Sequence, residues 1–119
     1  MKNQKNTLSK GILHNSQIFT YRTKDGRAYF QFSYHYLSSG HYEMDIHQQP
    51  SYQSRSTNIN TIHRLNSPRV APHKICITSG KEPKSLDKAK KVSCDWAELT
   101  WNYIKNGTTL DTQIAMRNN

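Results

Sequence analysis

The residues with the clearest chemical potential lie on a period of two: His41, Glu43, Asp45 and His47. Alternate residues of a β-strand project from one face, so on a strand these four side chains stand in a row. Imidazole nitrogens beside carboxylate oxygens are the donors that hold a divalent cation or position a water molecule. His35, across a hairpin from Glu43, brings another imidazole to the same face. His35, His41, Glu43, Asp45 and His47 are therefore the candidate metal ligands, and a metal-dependent hydrolase is the activity they would serve. Against this, a half-exposed antiparallel strand carries polar residues at this period whatever it does, and His41 and His47 are too far apart to share one ion directly. The plainer expectation is a solvated outer face that holds neither metal nor cofactor.

Positive charge is the second feature. The chain has 17 Lys and Arg against 8 Asp and Glu, a net charge of +9. Residues 48 to 81 contain Arg55, Arg64, Arg69, Lys74 and Lys81 and no acid, and Lys84, Lys88 and Lys91 follow at helical spacing. Lysines in the first turns of a helix oppose its dipole, and an anionic ligand there reverses that penalty. Arg55, Arg64, Arg69, Lys74, Lys84, Lys88 and Lys91 are thus the candidate surface for nucleic acid or another polyanion, expected as one continuous patch from loop to helix start.

Nucleophilic chemistry has little to stand on. Ser33 opposite Asp45 does not make a triad, and Cys76 and Cys94 lack paired ligand spacing, which leaves them as reduced thiols whose commoner fate is burial. The chain has no glycine-rich phosphate loop, no Gly-x-Ser-x-Gly elbow and no His-Glu-x-x-His helix. No catalytic residue is assigned on these grounds.

The elements that must position these residues can be read in turn. Phe19 and Tyr21 alternate with polar neighbours, and Asp25-Gly26 suits a two-residue type I′ turn, so a second strand follows with Phe19 opposite Phe32 and Tyr21 opposite Phe30. Ser38, Ser39 and Gly40 form a three-residue loop with Gly40 left-handed, which sets Tyr36 against Tyr42, Tyr34 against Met44 and Phe32 against Ile46. Both turns place the aromatic side chains on one face. Residues 59 to 65 and 74 to 78 are further strand candidates. From Ser85 as N-cap, Leu86, Ala89, Val92, Trp96, Leu99 and Tyr103 recur at spacings of three and four, and Asn106-Gly107 stops an amphipathic helix of about 20 residues.

These elements define an α+β fold: an antiparallel meander of three to five strands with one long C-terminal helix packed on the aromatic face, and Trp96 at the centre. Residues 1–17 are expected as a flexible basic tail, 18–106 as a single domain and 107–119 as a second loose tail. Trp101 and Ile104, with Ala97, make a second apolar stripe, which is either a wide core contact or the surface for a protein partner or homodimer.

Length and composition bound the rest. The 119 residues suit one domain, and Leu, Ile, Val and Phe number only 21, near the compositional edge of disorder. The 12 aromatic residues offset this, nine of them between Phe19 and Tyr52. No apolar run approaches the roughly 20 residues of a membrane span, so a protein of the cytoplasm, not in the membrane, is expected. Together these features favour a small basic binding module, non-catalytic, for nucleic acid or a polyanion. A structural or protein-interaction role and a metal-dependent hydrolase are the alternatives.

Overall fold

In a computed structural model that describes residues 17–118, the sheet comprises β1 (Phe19–Arg22), β2 (Tyr29–Tyr36), β3 (Tyr42–Gln48), β4 (Arg64–Asn66) and β5 (His73–Ile75), all antiparallel, in the order β1-β2-β3-β5-β4. The helices are α1 (Ile59–Ile62), α2 (Leu86–Asn106) and α3 (Leu110–Arg117). The tail expected over 1–17 falls, but for Gln17, outside the described residues.

The aromatic pattern sets the first three strands. Phe19 pairs with Phe32 and Tyr21 with Phe30, and Phe32, Tyr34 and Tyr36 pair with Ile46, Met44 and Tyr42. The first turn differs in type. The Gly26 amide donates to the Thr23 carbonyl and only Gly26 has positive φ, whereas a type I′ turn also requires it of Asp25. Asp25 is not among the positive-φ residues, and its carboxylate accepts from the Thr23 hydroxyl and the Arg27 amide. The second loop forms as expected, with the Leu37 amide on the His41 carbonyl and Gly40 at φ +89. A register shift between Gln31 and Phe32 pairs Gln31 with Gln48, so His47 becomes the extra residue of a bulge.

Ser85 caps α2 by accepting from the Lys88 amide, and Gly107 ends it at φ +83. Its apolar stripe lies on the sheet, where Trp96 meets Phe30 and Phe32 edge-on with ring centroids 5.7 and 6.2 Å apart. The indole N–H of Trp96 donates to the Ile62 carbonyl, so the ring is buried with its one polar atom satisfied.

Three expectations need correction. Residues 59–62 form a helical turn instead of a strand, because Asn58 caps it through the Asn60 amide and His63 adopts a left-handed backbone; the strand begins at Arg64. The segment after Gly107 is the helix α3, begun by Thr109 and anchored by the buried Leu110 and by Ile114. Ile104, offered as a partner surface with Trp101, is buried in the core, and the Trp101 indole donates to Asp25 at 2.8 Å. The β1–β2 turn folds back onto that stripe and covers it from within the same chain.

Candidate nucleic-acid interface

The seven cations expected to form one patch are distributed over separate parts of the fold. Arg55 sits at the C-terminal end of α2, where its Nε donates to the Ile104 carbonyl and its guanidinium closes over Gly107. A Cβ at residue 107 would lie 2.9 Å from that guanidinium, whose flexible end could shift, so the φ of +83 is what calls for glycine there. Lys84 and Lys88 stand at the other end of a 21-residue helix, about 30 Å away. Arg64 pairs with Ile75, whose side chain enters the core, so Arg64 rises on the helix-bearing face and lies over the Tyr52 ring at 5.2 Å.

Arg69 and Lys74 lie on the opposite face, in contact with the acidic strand. Arg69 Nε donates to Asp45 Oδ2 at 2.7 Å, and its Nη2 reaches Asp45 Oδ1 at 2.9 Å and Glu43 Oε1 at 2.7 Å. Lys74 Nζ takes the other oxygen of Glu43 at 2.7 Å. The expected solvated outer face is therefore covered: the Ser67–Ala71 loop folds over it, and Asp45 and Ser33 are buried. The sequence shows polar residues on a strand but not the loop that returns over them.

Protonation follows from this geometry. Burial raises the Asp45 carboxyl, but hydrogen bonds from His35 and Arg69 outweigh it and hold the pKa down at about 2. Glu43 is likewise pushed up by burial and pulled further down by Lys74 and Arg69, ending below the usual carboxylate range. Burial lowers His47 and keeps it neutral. Ser33 Oγ lies 2.8 Å from His35 Nε2 and 2.6 Å from His47 Nε2, and His35 Nε2 is 3.2 Å from Asp45 Oδ2. With protons assigned from the network, Nε2–H of His35 points to the carboxylate and the Ser33 hydroxyl donates to the neutral His47.

This cluster resembles a triad in composition only. In a triad the two imidazole nitrogens serve the hydroxyl and the carboxylate separately, whereas here the single atom Nε2 of His35 faces both, and Ser33 is sealed from solvent. Of the candidate metal ligands, Glu43 and Asp45 are engaged by Arg69 and Lys74, and His41 Nδ1 meets Ser39 Oγ on the hairpin loop. Among the described residues no three His, Cys, Asp or Glu side chains converge as a metal site.

Lys84, Lys88 and Lys91 are all exposed and form no ion pair with a described residue, and the same holds for Lys81. Lys90 lies 4.3 Å from the Phe19 ring centroid. Residues 81–91 thus hold five lysines against Glu82 and Asp87. The Tyr42 amide donates to the Pro83 carbonyl, which ties this segment to the hairpin end of the sheet. There the Tyr36 and Tyr42 rings pack in a tilted pair, centroids 5.1 Å apart at 59°, and Tyr36 is 64% exposed. Its place on the aromatic face predicts a core residue instead. The signal that it lies beyond helix cover is its position as last residue of the strand, level with the helix N-cap.

No helix among the described residues is long and apolar enough to cross a membrane. Comparison with protein-family models, curated proteins and solved structures finds no match to the chain.

Proposed function

We propose that this protein is a non-catalytic binding module for nucleic acid, acting through the lysine-rich start of α2. The observation that carries this reading is how the cations divide. Arg69 and Lys74 are neutralised by Glu43 and Asp45, and Arg55 closes a helix end, while Lys81, Lys84, Lys88 and Lys91 are exposed and form no ion pair with a described residue, Glu82 acting on Lys84 only through space. Such clustered lysines gain from a polyanion what they lose to mutual repulsion and to the helix dipole. Cys76 and Cys94 are half-buried free thiols, which suits the reducing cytoplasm as the setting.

The test separates position from total charge. Lys84→Glu with Lys88→Glu changes net charge by four, as does Lys24→Glu with Arg27→Glu at the opposite end of α2. The first pair should weaken binding to a short oligonucleotide far more, and should lower the slope of log K against log salt by about one for each phosphate no longer neutralised. Equal weakening by the two pairs would reduce the interaction to diffuse attraction and overturn the proposal.

A further inference from the structure

We infer that the nucleic acid is single-stranded and that Tyr36 is the platform on which a base stacks; this rests on the helix-start reading above. The argument begins with how far α2 reaches along the sheet. Phe30 and Phe32 are capped by Trp96, and one step further along β2 the Tyr34 hydroxyl meets Ser93 Oγ at 2.7 Å. The next core-facing residue is Tyr36, which lies where the helix is beginning, and Leu86 in that first turn is itself 37% exposed. The last aromatic residue of the stripe is therefore left in solvent by the length of the helix.

Its ring has one supported side and one open side. One side tilts against Tyr42, and the hydroxyl lies over Gly40, 3.9 Å from where a Cβ would stand. A ring that already rests on a neighbour on one side loses less freedom when a base covers its open side, which favours productive stacking. Phosphates have their partners close by, since Pro83 is bonded to Tyr42 and Lys84 follows it in the chain. Lys88 and Lys91 continue at about one helical turn each.

A duplex fits less well. Its bases are already stacked and offer Tyr36 no free face. A helix laid along a groove would also bring the Glu98 carboxylate, bonded to the Tyr21 hydroxyl and the Lys24 amide and paired with no cationic side chain among the described residues, toward the phosphates within about three turns of Lys88, whereas Asp95 is paired with Arg117. Stacking is indifferent to base identity, so little sequence preference is expected.

The experiment uses a fluorescein-labelled single strand of about twelve nucleotides, its duplex, and heparin as a polyanion without bases. Wild type should bind the single strand at least about ten-fold more tightly than the duplex. Tyr36→Ala should weaken the single strand by about ten-fold or more while leaving heparin retention unchanged. Tyr29→Ala, an exposed tyrosine on the other face of the sheet, should change neither. Lys84→Glu with Lys88→Glu should weaken all three ligands. If Tyr36→Ala matches wild type on the single strand while the lysine pair weakens binding, the stacking inference fails and the helix-start reading stands. If wild type binds neither oligonucleotide nor heparin near physiological salt, both fail.

Discussion

Replacing Arg69 by Met, which keeps the aliphatic stem and removes the guanidinium, tests whether the loop over the outer face is held by charge. Asp45 is 1% exposed and accepts two hydrogen bonds from Arg69 in addition to those from Ser67 and His35. Loss of the guanidinium leaves a buried carboxylate without its main cation, a change that costs about 3–5 kcal/mol when both partners are fully buried. Arg69 is 22% exposed, which places the expectation at the lower end. An independent figure comes from the Asp45 carboxyl, held at about 2 against an ordinary 3.8. That difference, about 2 kcal/mol, is what remains after burial has raised the value, so it is a floor for what Arg69 and His35 supply together. We expect Arg69→Met to destabilise the fold by about 2–3 kcal/mol in urea denaturation followed by tryptophan fluorescence. Asp45→Asn should cost much less in the Arg69→Met background than in wild type. An Arg69→Met variant within about 0.5 kcal/mol of wild type would refute the clamp.

Phe32→Ala should cost on the order of 3–5 kcal/mol, because the ring is fully buried against Trp96, whereas Gln31→Ala, on the other face, should be nearly silent. Similar urea midpoints for these two variants would show the faces to be assigned wrongly. The stability profile in acid should fall in two stages. Burial lowers His47 and His73 from their ordinary 6.5, so the unfolded chain takes up those protons first and stability drops as pH falls below about 6.5. Asp45 adds a second loss from about 4 down toward its folded value of about 2. A melting temperature that stays flat between pH 7.5 and 5 would contradict the lowered proton affinity of these half-buried histidines.

The meander and the long helix are legible in the sequence because each is specified twice: two turns give one aromatic face, and Ser85 and Gly107 bracket one apolar stripe. What is not legible depends on residues distant in the chain. Arg69 and Asp45 are 24 residues apart, and nothing local to either marks the pair. The sequence does hold an indirect signal, since two acids on alternate residues of a strand need counterions and the acid-free segment that follows supplies them. α3 escapes for a related reason: in eight residues only Leu110 is fully buried, so its periodicity is weak, and its place is set by packing on α2. Tyr36 reads as core because period-two alternation gives the face of a side chain but not where the covering helix stops.

The surface assignment is tested most directly by recording amide shifts of the uniformly ¹⁵N-labelled protein during titration with a single strand of about twelve nucleotides at physiological salt. The largest changes should fall on Tyr36, Tyr42 and residues 81 to 91, with Arg55, Arg64 and Arg69 unmoved. Changes centred on residues 55 to 69, or spread evenly over the lysines and arginines of the whole chain, would contradict it.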